Sequence, residues 1–158
     1  MACIELHTRI EAPIKTCFDL ARSIDLHKLS TQQTQEEAIA GTTTGLIGLN
    51  ETVTWRAKHF GVWQQLTTQI TAFDSPTFFV DEMTEGAFAS FRHEHHFEAV
   101  GGATEMVDRF NFKFPFGLLG HVVNHLILTR YMTNLLKTRN EVIKRVAESD
   151  EWKTVLPA

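Results

Sequence analysis

From residue 77 to residue 115 apolar and polar side chains alternate, with breaks at Glu85-Gly86 and Gly101-Gly102. A period of two marks a half-buried strand, and glycine-containing breaks mark turns, so strands are predicted over 77–84, 88–100 and 103–114. Beyond about residue 118 the period changes. Val122, Val123, Leu126, Ile127, Leu135, Leu136, Val142, Ile143 and Val146 then recur at helical spacing, while Lys137, Arg139, Glu141, Lys144 and Arg145 take the wet side. One long amphipathic helix is predicted over 118–148. Upstream, strands are predicted over 51–59 and 62–73, closed by Phe60-Gly61 and Asp74-Ser75-Pro76, and a shorter one over 34–40. At the start, Ile4, Leu6, Thr8 and Ile10 alternate with Glu5, His7, Arg9 and Glu11, which predicts a strand over 3–11. Pro13 then suits the first turn of a helix whose stripe is Ile14, Cys17, Phe18 and Ala21. A second short helix is predicted over 24–30, burying Leu26 and Leu29. The tail 150–158 is expected to fray, with Trp152 as the residue placed to dock.

The order is strand, two helices, six strands, long helix. Consecutive strands with short turns form an antiparallel meander. Its apolar face must curve around the helix or stay wet, and such a wrap leaves a hollow. The fold class is therefore α+β, with a ligand cavity between sheet and helix as the leading functional idea. Twelve Phe against one Tyr fit that idea, since Phe adds apolar area with no hydrogen-bonding group and suits a greasy lining as well as a core.

The other bulk properties mainly exclude. A length of 158 residues is enough for one domain with a real core, and 43% apolar with 22% charged residues is ordinary globular composition. A net charge of −4 without any Lys/Arg run argues against nucleic acid. Cys3 and Cys17 make no disulfide framework, so a reducing cytoplasm is expected. The first residues lack the basic and apolar regions of a signal peptide, and no apolar run approaches the ~20 residues of a membrane span, so no integral membrane association is expected. No cofactor is implied, and the oligomeric state is open.

The most specific stretches are Phe79-Val80-Asp81-Glu82, then Gly86, then His93-Glu94-His95-His96-Phe97-Glu98, Asp108-Arg109 and Pro115-Phe116-Gly117-Leu118-Leu119-Gly120. With the element order and the Pro-led helix, they resemble the START-like superfamily, also called SRPBCC or helix-grip. Within it, the bacterial ligand-binding group related to polyketide cyclase/dehydrase proteins is the nearest in character; some of its relatives are fused to epimerase-like domains or labelled cell-division inhibitors. The resemblance covers nearly the whole chain. It implies a curved antiparallel sheet of about seven strands wrapped around the C-terminal helix, with two short helices after the first strand and an elongated apolar cavity between. It supplies no defined catalytic set, and the Gln- and Thr-rich segment 31–48 matches no motif of it.

Alternation puts His93, His95 and Phe97 on one strand face, with Glu94 and His96 on the other. Asp108, Phe110, Phe112 and Phe114 share a face of the next strand, expected to be the concave one. His93 or His95 beside Asp108 would be a self-satisfied polar patch, an anchor for a ligand's polar end, or an acid/base pair. A metal site would need a third ligand, Glu82 or Asp108, which the pattern does not fix, so none is assigned. His121 and His125 share a helix face, but Val122 stands where a zinc protease needs Glu, leaving a surface or cavity-rim role. Asp81 and Glu82 point to opposite faces, and an inward one would need a partner such as Arg56 or Arg92. The expected ligand-binding residues are Trp55, Arg56, Phe79, Phe91, His93, His95, Asp108, Phe110, Phe112, Val123, Leu126 and Ile127. Trp63, Phe60 and Phe88 are further candidate lining, and Gly117 and Gly120 a candidate hinge.

Three functions follow. The first is a carrier of a small hydrophobic or amphipathic ligand. The second is a cyclase/dehydrase-type enzyme using His93 or His95 with Asp108. The third is an interaction module acting on a partner protein.

Overall fold

The alternating segments form one seven-stranded antiparallel sheet in the order β1-β7-β6-β5-β4-β3-β2. A computed structural model describes residues 1–114 and 121–158, the side chains of 121–124 aside. The strands are β1 (Ala2–Ile10), β2 (Glu37–Gly41), β3 (Thr52–His59), β4 (Val62–Asp74), β5 (Phe78–Glu85), β6 (Ser90–Val100) and β7 (Ala103–Lys113). Helices α1 (Ile14–Ala21) and α2 (Ile24–Ser30) follow β1; α3 (His121–Ala147) and α4 (Trp152–Val155) follow β7. The meander runs from β2 to β7, and β1 returns to pair with β7, Leu6 opposite Asp108.

Local chemistry sets the boundaries. Ser23 caps α2, its Oγ accepting from the Leu26 amide at 3.1 Å. β2 begins at Glu37, later than the predicted residue 34. Thr34 instead ends a 3-10 turn, its hydroxyl bonded to the Thr31 carbonyl, and Gln35 takes a left-handed φ of 53° that no strand accommodates. The β3–β4 hairpin turns on Phe60 and Gly61, both at positive φ, the geometry that matches the twist of the flanking strands. Gly tolerates this freely; Phe60 does so at a cost of about 1 kcal/mol, with its ring packed on Tyr131 at 4.6 Å.

The interior has two apolar clusters. One is built around Phe18 of α1, whose ring meets Phe73, Phe79 and Phe97 edge-on at 5.4, 5.5 and 5.4 Å, with Met106, Ile143 and Val146 nearby. The other gathers Ala2, Ile4, Phe91, Phe110, Phe112 and Leu136. The tail, expected to fray, instead forms α4, and Trp152, Val155 and Leu156 pack on the first cluster because their apolar surface has somewhere dry to go.

Helix α3 departs from its predicted faces at two places. Arg139, predicted on the wet face, is 6% exposed, with Asn140 beside it at 3%. They occupy the buried stripe between Leu136 and Ile143. Leu126 and Ile127, predicted inward, are 67% and 53% exposed. Both deviations have one cause: at 3.6 residues per turn the face that packs inward is Leu128, Tyr131/Met132, Leu135/Leu136, Arg139/Asn140, Ile143 and Val146/Ala147, a phase Leu126 and Ile127 do not share.

Candidate functional site

Between the sheet and α3 lies a cavity of about 570 Å3. Its walls are largely apolar: Trp55 and Ala57 from β3, Leu66 and Ile70 from β4, Phe79, Phe88, Phe91 and Phe110 from the strands and turns beyond, and Leu128, Met132, Leu135 and Leu136 from α3. Phe60 and Ala87, at the β3–β4 and β5–β6 turns, are exposed members of the lining.

The polar part of the wall is a layer between the two apolar clusters. Along the inner face of β6 the order is Phe91, His93, His95, Phe97, and along β7 it is Phe112, Phe110, Asp108, Met106, each directly opposite its counterpart. On the other side β5 sets Phe79 opposite His95 and Asp81 opposite His93. The hydrogen bonds run diagonally across this register. His93 Nε2 lies 2.9 Å from Asp108 Oδ1, and His95 Nε2 lies 2.7 Å from Asp81 Oδ2. His95 Nδ1 faces Asp108 Oδ1 at 3.1 Å without hydrogen-bond geometry. The two imidazoles lie tilted by 35° with centroids 3.8 Å apart, and Phe79 stacks on His95 at 4.1 Å.

Helix α3 completes the layer. Asn140 Nδ2 donates to Asp108 Oδ2 at 2.7 Å, and Arg139 Nη1 to Asp108 Oδ1 at 3.4 Å and Asn140 Oδ1 at 3.1 Å. Arg139 Nη2 donates to the Ala21 carbonyl at 3.1 Å, tying the layer to α1. Burial and the neighbouring His95 push His93 down to about 4, against the pull of Asp108 and Asp81, so its ring is neutral at neutral pH. Burial would raise Asp81, but the hydrogen bond and charge of His95, with His93 and Arg139, hold it below its usual range. Asp108 is held well below that range, its burial outweighed by His93, His95 and Arg139.

A second polar patch faces the same cavity. His27 lies tilted against Trp55 with ring centroids 4.2 Å apart and meets Glu36 at 3.1 Å, and His59 Nδ1 meets the Tyr131 hydroxyl at 2.7 Å, clasping β3 to α3. Burial lowers His59, opposed by Glu36; the Glu36 carboxyl, despite its burial, is held low by His27.

Of the anticipated residues, Trp55, Phe79, Phe91, His93, His95 and Phe110 line the cavity. Asp108 lies behind the histidines rather than in the wall, and Phe112 packs in the second cluster. Arg56 points outward, where it pairs with Glu37 at 3.0 Å and covers Trp63 at 4.9 Å, because its strand neighbours Trp55 and Ala57 take the inner face. Leu126 and Ile127 are exposed, Phe60 and Phe88 line the cavity, and Trp63 is outside it. His125 is half-buried with its ring edge-on to Phe114 at 5.6 Å. The side chains of Val123 and His121, and all of Gly117 and Gly120, lie outside the described residues. Asp81 is inward, and its partners are His95 and His93, not an arginine; Arg92 pairs instead with Glu82 and Glu94 on the outer face. Sequence reasoning missed Arg139, Asn140, His27, Glu36, His59 and Tyr131. For Arg139 and Asn140 the signal was present, since their spacing from Leu136 and Ile143 puts them on the buried stripe.

Chemically, the Asp81–His95 pair is a carboxylate–imidazole couple at the cavity wall, able to accept or deliver a proton or to hold a hydroxyl or carbonyl. A metal ion would find its donors here as well. One atom each from Asp81, His93 and His95 lie within 4.8 Å of one another, so the third donor is Asp81, in place of the Glu82 or Asp108 weighed from the sequence.

No protein-family model matches the chain, and a search of curated proteins returns no match. Solved structures do share its architecture. The protein TTHA0849 from Thermus thermophilus is 17% identical with a TM-score of 0.70, over 90% of this chain and 97% of that one. The ginseng major latex-like protein 151 from Panax ginseng is 13% identical with a TM-score of 0.67, over 94% and 98%. CV1439 from Chromobacterium violaceum is 7% identical with a TM-score of 0.68, over 94% and 98%. The chain thus has the START-like helix-grip fold: seven curved antiparallel strands and a long C-terminal helix. Among the described residues no helix is long and apolar enough to cross a membrane.

Proposed function

We propose that the chain binds an amphipathic small molecule in the cavity between sheet and α3, with an apolar body along Trp55, Leu66, Phe91 and Leu135 and an uncharged hydroxyl or carbonyl end against Asp81, His93 and His95. The supporting observation is the cavity itself: about 570 Å3, inside the range of small-molecule sites, with apolar walls and a few convergent polar groups. Apolar burial supplies the affinity, at roughly 25 cal/mol per Å2 before ordering costs.

The charge of the polar layer selects the end group. The two carboxylates Asp81 and Asp108 face one guanidinium, Arg139, and the His93 ring is neutral, so the layer disfavours a further carboxylate placed in it. The uncharged fluorophore N-phenyl-1-naphthylamine is expected to bind metal-free protein at one saturable site. Dodecan-1-ol is expected to displace it at roughly tenfold lower concentration than dodecanoate, a difference of about 1.4 kcal/mol. Ala57→Trp, which fills the cavity from its wall, is expected to abolish the signal while the fold persists by circular dichroism. Probe binding unchanged by Ala57→Trp would overturn the reading.

A further inference from the structure

The polar layer contains a conflict that neither neutral tautomer of His95 removes. Asp108 Oδ1 faces nitrogens of both histidines, His93 Nε2 at 2.9 Å and His95 Nδ1 at 3.1 Å. For both contacts to be attractive, each of those nitrogens must carry the ring proton. Neutral rings with those tautomers present lone pairs at His93 Nδ1 and His95 Nε2. Those two atoms face Asp81 Oδ2, at 4.0 and 2.7 Å. Three electron-pair donors then crowd one point at the cavity wall. Moving the His95 proton to Nε2 satisfies Asp81, but turns the Nδ1 lone pair on Asp108; that nitrogen is the buried one with no hydrogen-bond partner. Either neutral tautomer leaves one repulsive contact in a dry environment, where such contacts are costly.

The geometry points to a divalent transition-metal ion held by Asp81 Oδ2, His93 Nδ1 and His95 Nε2. One donor atom from each of the three residues lies within 4.8 Å of the others, and Asp81 Oδ2 stands 2.7 Å from His95 Nε2 and 4.0 Å from His93 Nδ1. At metal–ligand distances of about 2.1 Å, adjacent donors stand about 3.0–3.4 Å apart, so the Asp81–His95 pair opens by a few tenths of an ångström and the Asp81–His93 pair closes by less than about 1 Å. The outer shell is already built. Asp108 Oδ1 is hydrogen-bonded to His93 Nε2 and faces His95 Nδ1 at 3.1 Å, so with an ion on the opposite ring nitrogens both second N–H groups would point at this carboxylate, which Arg139 and Asn140 hold in place. Two imidazoles and one carboxylate suit Zn2+, Fe2+ or Co2+ rather than Ca2+ or Mg2+, which take oxygen ligands. Three protein donors leave coordination positions free, and all three line the cavity, so those positions open onto it. The ion also brings two positive charges to the layer. This inference goes beyond the apolar-ligand reading and does not depend on what fills the rest of the cavity.

The test uses the full chain, stripped with EDTA, loaded with Co2+ and desalted. Elemental analysis is expected to show one equivalent retained, with the visible d–d absorption of cobalt bound by nitrogen and oxygen. Asp81→Asn and His95→Ala are expected to retain less than about a tenth of that. Asp108→Asn keeps all three ligands and is expected to loosen binding roughly 10- to 100-fold through loss of its hold on the rings. His7→Ala, at the exposed His7–Glu5 pair, is expected to retain the full equivalent. Wild-type protein that holds no cobalt after desalting would overturn the inference, leaving a second proton on His95 as what satisfies both carboxylates. Undiminished retention in His95→Ala would overturn it too, by placing the ion elsewhere. N-phenyl-1-naphthylamine binding to the same stripped protein reports separately on the apolar cavity.

Discussion

Asp108 is the residue on which the polar layer turns. It is fully buried and joins elements far apart in the chain: His93 on β6, and Arg139 and Asn140 on α3. A buried carboxylate costs heavily unless paired and hydrogen-bonded, and here both oxygens are engaged. Asp108→Asn leaves the Arg139 guanidinium buried without its nearest counter-charge. The expected loss is about 3–5 kcal/mol, read as a lower urea midpoint. Removing both charges, in Asp108→Asn with Arg139→Met, is expected to cost less than the sum of the single changes, since no lone charge remains. Strict additivity would show that the pair does not act as a unit.

At the scale of elements, what the sequence could reveal depended on how each element meets its neighbours. β3, β6 and β7 have one wet and one dry face, so period two located their inward residues, and it put His93, His95, Phe110 and Asp108 on one surface. The same alternation turns Arg56 outward once Trp55 is placed inward. Helix α3 was harder. Among its described residues, Leu126 and Ile127 are apolar yet exposed and belong to no inward stripe. Charge alone then assigned Arg139 to water, although its spacing from Leu136 and Ile143 did not. The second polar patch was illegible for a different reason. His27, Glu36, His59 and Tyr131 come from α2, the β2 approach, β3 and α3, and only the tertiary wrap brings them to one wall. Trp152 docks as the sequence allowed; the order of the rest of the tail was not legible, because the surface that holds Trp152, Val155 and Leu156 forms only when α1 and α3 pack.

For the molecule as a whole, the buried layer couples folding to pH. The His93 ring has a folded-state pKa of about 4 against an ordinary 6.5, so between those values the unfolded chain binds a proton that the folded chain does not. Stability therefore falls as pH drops through that window, by about 3 kcal/mol for this ring when metal is absent. His59, also lowered by burial, acts in the same direction. Asp81 and Asp108 extend the loss below that window: their contribution is full above the ordinary carboxylate range and disappears as pH falls through their depressed folded values. Urea midpoints of stripped protein are expected to fall steadily from about pH 7 to about pH 4. A flat profile would contradict a neutral, buried His93.

The sheet, the helix and the polar layer together line a hollow, polar-banded space, which we propose accepts a guest. A crystal structure of the protein soaked with dodecan-1-ol addresses that most directly. The expected result is density for one molecule between the sheet and α3, its hydroxyl at Asp81 and the His93/His95 pair and its chain along Trp55 and Leu135. Side chains meeting across that space, or the alcohol lying only on the outer surface, would contradict it.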